Sequence, residues 1–326
     1  MYFENARTAL YFGLCNIGIT AGDEILIPDY ICISIIAVLE EMDVEYKYYF
    51  LSDDLSPNWN SVHNVFSIKT KAILMVHYFG FLQDFDRFKE FCDRKNIFLI
   101  EDMAHGYNLH TNKQLGKSGD IVISSPRKSF GLQTGGYLGI KKKLVIPTRN
   151  LKRKKINLIH NFLYLTLKRS YFLKAFLRKL VLKRSKFQDR GIETFDKNNF
   201  FLIDKFSEKK IHSTDLISLI EKRREIFKIW GSFSRKHDLQ AVFSHLGEGI
   251  NPLCFPFFVD NENLRDYWIN WGWENGFIIY PWPTLPDEVY KGKYPGYFLF
   301  KKILCFPIDI SMNPIRLSLI LNKEES

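Results

Sequence analysis

Two hydrophobic periods alternate along the first 140 positions. Short continuous apolar runs occur at Ile25-Leu26-Ile27, at Ala72 to Val76 and at Ile97 to Ile100, the last ending in Glu101-Asp102. Segments of helical length and spacing lie between them: Ala6 to Cys15, Tyr30 to Leu39, Trp59 to Phe66 and Phe85 to Cys92. Val44 to Phe50 alternates and is rich in Tyr and Phe, which suits a strand. Strand and helix thus follow each other at roughly 25-residue spacing, the signature of βαβ units. The pattern predicts an α/β chain built on a three-layer, doubly wound, mostly parallel sheet.

Ile121-Val122-Ile123 and Tyr137 to Ile140 read as two more strands, joined by a loop that carries Lys128. Further on, Ile211 to Trp230 has helical spacing. Phe255 to Val259, Phe277 to Tyr280 and Ile303 to Pro307 read as short strands between helical segments. This texture predicts a smaller C-terminal α+β domain. The expected division is residues 1–215 for the large domain and 216–326 for the small one.

Length and composition narrow the class. A chain of 326 residues, 46% apolar and 16% aromatic, can build a sizeable core in about two domains. No secretory leader is expected at Met1-Tyr2-Phe3-Glu4, and no apolar run is long enough to span a membrane. The five cysteines are scattered, odd in number and without C-x-x-C spacing, which suggests reduced thiols in a cytoplasm and no zinc or other metal site. The net charge of +10 is concentrated: residues 141–190 hold 17 Lys and Arg against one acid, Asp189, so the remainder is net acidic. Ile156 to Leu182 within this stretch reads as a basic amphipathic helix or helix pair, an insert in the large domain.

Candidate chemistry follows from the sheet. Ligands of such sheets sit at the carboxyl ends of the strands, where the sequence puts Asp29, His77, Asp102, His105 and Lys128. Singly, each has an ordinary explanation: a helix cap for Asp102, a satisfied core imidazole for His77, a solvated lysine for Lys128. Together they suggest a site. A lysine held by two strands, preceded by Ser124-Ser125 and followed by Gly135-Gly136, suits an amine that forms a Schiff base.

These motifs, in this order, resemble the DegT/DnrJ/StrS-type family of pyridoxal-phosphate-dependent sugar aminotransferases. Asn5-Ala6-Arg7-Thr8-Ala9-Leu10 resembles the family's phosphate turn, and Gly22 to Pro28 its G-D-E-V-I-x-P. Thr70 to Ile73 with His77 to Gly80, Glu101 to His105, and Lys128 with its seven-residue step to Gly135 resemble three more motifs. Tyr280 to Pro283 and Leu304 to Pro307 resemble the C-terminal strands. The resemblance implies the aspartate aminotransferase fold and pyridoxal 5′-phosphate as cofactor. It gives Lys128 the role of cofactor-linked lysine and proton shuttle, and Asp102 that of carboxylate on the pyridine nitrogen. His105 would stand beside the ring, Ser125 would bond the phosphate, and Ala6, Arg7 and Thr8 would form the phosphate turn at a helix start. The chain departs from the family at Ala6, where the turn glycine is expected, and at Arg7, which replaces a threonine but can itself pair with phosphate. Cys32 falls where an aromatic stacks on the ring, with Tyr30 two positions away as a substitute cover. The chain begins almost on the phosphate turn, ahead of which most members carry a further segment.

The retained lysine implies transamination: an amino group moved from an amino acid, glutamate by expectation, to a keto-sugar nucleotide, for surface polysaccharide or O-antigen synthesis. The resemblance also implies a homodimer. The competing expectation is a catalytically degenerate relative that serves as a binding or assembly subunit, favoured by Ala6 and Cys32. The insert at 141–190 admits three readings: a solvated helical face, an anionic membrane surface, or a funnel for nucleotide diphosphates. Nucleic acid is not expected as a partner, because no binding motif accompanies the charge.

Overall fold

The computed structural model describes residues 1–107, 119–141, 151–156, 171, 173 and 193–323. Strands β1 (Tyr2–Phe3), β2 (Glu24–Pro28), β3 (Glu45–Tyr49), β4 (Thr70–Val76), β5 (Phe98–Met103), β6 (Ile121–Ser124), β7 (Gly136–Ile140), β8 (Lys152–Arg153) and β9 (Phe201–Leu202) form one sheet in the order β3-β2-β4-β5-β6-β7-β1-β9-β8. The pairs among β3, β2, β4, β5 and β6 are parallel, while β7 runs antiparallel to β6 and to β1. The mostly parallel α/β sheet read from the sequence is therefore present. Helices α1 (Ala6–Asn16), α2 (Ile33–Glu41), α3 (Trp59–Val65) and α4 (Phe85–Lys95) supply the crossovers. Each of α1, α3 and α4 starts at a side-chain cap, Asn5, Asn58 and Asp84, whose oxygen accepts a first-turn N–H.

Register places the site. Val76 pairs with Asp102, and Asp102 with Ile123, so three neighbouring strands end in one row. Alternation along each strand points these three side chains to one face and Glu101 to the other.

Two helical stretches differ from their sequence reading. Lys128 lies not on a loop but on a short helix, α5 (Pro126–Phe130). Pro126 presets the first helical φ, and Gly131 closes the helix in the left-handed conformation at φ 62°. The helix read at Ile211 to Trp230 is two helices, α6 (Lys205–Ser213) and α7 (Leu216–Lys236). Asp215 separates them, because its side chain accepts from the N–H groups of Ile217 and Ser218 and starts a new helix.

Past α7, β10 (Cys254–Phe258) and β11 (Ile303–Pro307) pair antiparallel. Helices α8 (Glu262–Glu274), α9 (Gly296–Lys302) and α10 (Pro314–Lys323) surround them. The strand read at Phe277 to Tyr280 reduces to one bridge, Tyr280 to Cys305, since Pro281 has no N–H to extend the ladder. Trp230 stacks on Phe306 at 4.3 Å and 2°, and Phe257 on Phe306 at 4.2 Å and 18°. One continuous buried core runs from Phe3 through the sheet to Leu321.

Most of the basic insert, including the helix pair read at Ile156 to Leu182, lies outside the described residues. Its described start is tied to the sheet edge: Arg153 pairs with Glu208 at 2.6 Å and Lys154 with Glu4 at 3.0 Å. No described helix is long and apolar enough to cross a membrane.

Candidate active site

The strand row opens into a cavity of about 160 Å³. Val76, Asp102 and Ile123 form its floor, and the start of α1 contributes Asn5, Ala6 and Arg7. Cys32 and Ser34 enter from the start of α2, Ser125, Arg127 and Lys128 from α5, and His105, Glu193 and Trp282 close the remaining sides.

A close backbone approach holds α1 in place. A Cβ on Gly136 would lie 2.0 Å from the Asn5 carbonyl oxygen and 2.6 Å from the Ala6 nitrogen, so only glycine lets β7 pass here. The Gly135 N–H also donates to the Glu4 carbonyl at 2.8 Å. The glycine pair thus sets the helix start against the lysine segment.

Asp102 is buried, and one carboxylate oxygen accepts the Ala104 N–H at 2.7 Å. Burial pushes its carboxyl up from the usual range, while the Ala104 bond, Lys128 and His77 pull it back. Behind it, the Gln83 N–H donates to His77 Nδ1 at 3.0 Å, so Nε2 carries the proton and donates to Glu101 at 3.0 Å. His77 is therefore a satisfied core imidazole, which also anchors the strand bearing Asp102: its N–H bonds the Asp102 carbonyl at 3.0 Å.

Lys128 stands at the cavity wall. Burial pushes its amine down, opposed by Cys32 and Asp102; Arg127 lowers it further and Glu193 raises it. The amine is consequently easier to deprotonate than a solvated lysine, which is what a nucleophilic amine requires. Ser125 caps α5 by position but makes no capping bond, leaving its hydroxyl on the cavity.

His105 is buried, and its ring is sandwiched: Phe79 stacks at 5.7 Å and 14°, and Trp282 stands edge-on at 4.5 Å. Burial holds its imidazole far below the usual histidine range, hence neutral.

Of the residues singled out by sequence, Lys128, Asp102, His105, Ser125, Ala6, Arg7 and Cys32 share this cavity. Two do not. Thr8 is buried one turn into α1, where its N–H and hydroxyl both donate to the Asn5 cap. Tyr30 lies wholly inside the core, its hydroxyl donating to the Trp282 carbonyl and its own carbonyl accepting from Tyr78 at 2.7 Å. Tyr30 therefore supports the strip that carries Trp282 instead of covering the cavity. Trp282 is a wall that sequence reasoning missed, although it lies in the motif Tyr280-Pro281-Trp282-Pro283. Sequence reasoning also missed Glu193, which carries no local signal: its carboxylate pairs with Arg7 at 2.5 Å and accepts from Ser34.

The arrangement has counterparts among known proteins. A sequence profile of the DegT/DnrJ/EryC1/StrS aminotransferase family matches residues 2–142. That match covers somewhat less than half of the chain. Among curated relatives, the GDP-perosamine synthase of Vibrio cholerae is 27% identical over 147 residues, covering 44% of this chain and 40% of that protein. The GDP-perosamine synthase of Escherichia coli is 29% identical over 127 residues, 37% of this chain and 34% of that protein. The matched region thus spans two-fifths or less of these curated relatives. The fold likeness extends further. A putative sugar aminotransferase from Streptococcus pneumoniae, solved in its PMP form, superposes with TM-score 0.71 at 17% identity over 99% of this chain and 84% of that one. An aminotransferase of pseudoaminic acid biosynthesis from Helicobacter pylori gives 0.70 at 14% over 99% and 85%. The whole chain therefore has the fold of the solved sugar aminotransferases, with the family's motifs in its first half.

Proposed function

We propose that this chain is a pyridoxal-phosphate-dependent aminotransferase that moves an amino group from an amino acid to a keto-sugar nucleotide. One observation carries the reading: Lys128 and Asp102 line one cavity beside a helix start and a neutral imidazole. That donor set fits the cofactor, whose aldehyde needs an amine, whose pyridine nitrogen needs a carboxylate, and whose phosphate needs an anion site. Lys128 would hold it covalently, Asp102 would hold the ring nitrogen, His105 and Trp282 would flank it, and Ser125, Ala6 and Arg7 would take the phosphate.

When bound, pyridoxal phosphate supplies a carbonyl that captures amino groups and a ring that withdraws electrons from the adjacent carbon. The protein's own residues do the rest. Lys128 Nζ, made less basic by burial, takes and returns a proton at the carbon that bears the amino group. Asp102, held by the Ala104 N–H, keeps a negative charge available to the pyridine nitrogen. His105 and Trp282 exclude water, and α1 offers its first N–H groups to an anion.

Glutamate as donor, a homodimer and a part in O-antigen synthesis belong to this proposal and rest on the resemblance. The GDP-perosamine synthases among the relatives favour a GDP-linked keto sugar in the first assays. The test is incubation with cofactor, an amino donor and a panel of keto-sugar nucleotides, with mass detection of the amino sugar. Product from wild type and none from Asp102→Asn supports the reading; no product from any donor and acceptor supports the degenerate-relative alternative.

A further inference from the structure

Residues 193–200 form no helix or strand, yet they are tied across the two helices that open on the cavity. Glu193 pairs with Arg7 of α1 at 2.5 Å and accepts from the Ser34 hydroxyl of α2. Arg7 Nη1 also donates to the Thr194 carbonyl at 3.5 Å. The Phe195 ring leans on Tyr11 at 5.8 Å, and Lys197 Nζ donates to the Glu41 carbonyl at 3.0 Å. Beyond it, Phe200 packs on Tyr11 and on Phe12, each at 4.8 Å, and β9 fastens the chain to β1. The run is a strap, packed at its Phe200 end and held by an ion pair and a hydroxyl at its Glu193 end.

The place that Glu193 occupies is built for an anion. Arg7 and Ser34 converge on its two carboxylate oxygens, and each is the second residue of its helix, where backbone N–H groups are left over. Helix α2 has no side-chain cap of its own. Beside this seat, a cavity of about 480 Å³ is lined by Arg7, Arg127, Lys154 and Lys155, with Glu4 the single acid on its wall, so its field draws anions inward. The strap itself is weakly held. Its ion pair is about one-third exposed and contributes little. Of residues 194–200 only Phe195 and Phe200 are partly buried, so opening uncovers little apolar surface.

We propose that the Glu193 carboxylate is a built-in placeholder for a phosphate monoester, and that residues 193–200 are a strap which the phosphate releases. On the aminotransferase reading, on which this inference rests, the monoester is the cofactor's. A phosphate monoester brings close to two negative charges and three acceptor oxygens, against one charge and two oxygens for the carboxylate. Two anions on one guanidinium repel each other, so the stronger displaces the weaker. Glu193 then leaves Arg7 and Ser34, and the strap swings about its packed end at Phe200. In the empty protein the same contact closes this side of the cavity, which couples cofactor loading to opening of the strap.

The test uses the full chain and three probes: inorganic phosphate, pyridoxal 5′-phosphate, and pyridoxal, which lacks the phosphate. Trypsin cleavage after the exposed Lys197, identified by peptide mass, reports the strap. Inorganic phosphate and the phosphorylated cofactor are expected to speed that cut about 5-fold, and pyridoxal to leave it unchanged. In Glu193→Gln the cut should be fast from the start and no longer respond to phosphate. By calorimetry, inorganic phosphate should bind Glu193→Gln about 5-fold more tightly than wild type. Thermal melting shows whether the variant is folded; should it fail to fold, the three probes on wild type decide alone. Cleavage that ignores both phosphates, or that pyridoxal speeds equally, overturns the proposal, and a cofactor band in the same sample shows that the aminotransferase reading stands. Weaker phosphate binding in folded Glu193→Gln overturns it as well and makes Glu193 a positioning residue for Arg7. If neither aldehyde gives a visible band, the cofactor reading fails, and the inorganic phosphate arm alone decides whether an anion opens the strap.

Discussion

The backbone N–H of Phe79 donates to Nδ1 of His105 at 3.1 Å, which leaves Nε2 as the protonated nitrogen of a neutral ring. Phe79 can do this because it takes the left-handed conformation, φ 54°, in a tight turn after β4. Gly80 follows at φ 92°, where a Cβ would lie 2.1 Å from the Asn251 carbonyl oxygen. The imidazole is thus locked by backbone and stacked aromatics, and serves as a wall.

His105→Ala is expected to lower cofactor affinity about 10-fold, the loss of roughly one aromatic contact, measured by titrating the variant with pyridoxal phosphate. The same histidine sets a pH dependence. Its pKa is depressed in the folded protein, so the stability it contributes is present above the unfolded value of about 6.5 and is lost as pH falls below it. In His105→Gln the melting temperature should therefore fall less between pH 7 and pH 5 than in wild type. Parallel pH profiles would contradict this.

Glu193 places a carboxylate at the end of the cavity where an anion would bind. It holds Arg7 at 2.5 Å, and both side chains are about one-third exposed. A phosphate entering there must share Arg7 with it. Removing the charge in Glu193→Gln should tighten cofactor binding about 5-fold, near the top of what a partly exposed ion pair contributes. Weaker binding in this variant would mean that Glu193 instead holds Arg7 in the productive position.

Asp29, at the end of β2, is fully buried with one carboxylate oxygen unpartnered, while the other accepts from the Gly296 N–H at 2.7 Å. Burial pushes its carboxyl up to about 7. Because the folded value exceeds the unfolded one, its contribution is intact in acid and is lost as pH rises toward and through about 7. The full loss is about 4 kcal/mol at most. Asp29→Asn keeps the acceptor and removes the titration. Its melting temperature should gain on wild type more at pH 8 than at pH 5, and an equal difference at both pH values would refute the assignment.

The first half of this fold was legible because parallel strands buried on both faces have to be apolar runs, and helices between them have to show one apolar stripe. Asp102 and Lys128 were legible for a related reason: they sit at strand ends beside turn residues with few alternatives. Tyr30 misled because sequence gives proximity along the chain, whereas its ring is turned into the core by a hydrogen bond to Trp282, far away in sequence. The Asp215 break was visible in principle as a cap residue, but the apolar spacing runs straight through it. Glu193 reaches its cavity only through tertiary packing, and nothing around it in the chain announces it.

Lys128 is proposed above as the amine that takes pyridoxal phosphate. The most direct measurement is borohydride reduction of protein incubated with the cofactor, followed by peptide mass mapping, beside Lys128→Ala. The expected result is a visible absorbance band unlike that of free cofactor, and a reduced adduct on the peptide containing Lys128, both absent in the variant. An adduct on another lysine, or the same spectrum and labelling in wild type and Lys128→Ala, would contradict it.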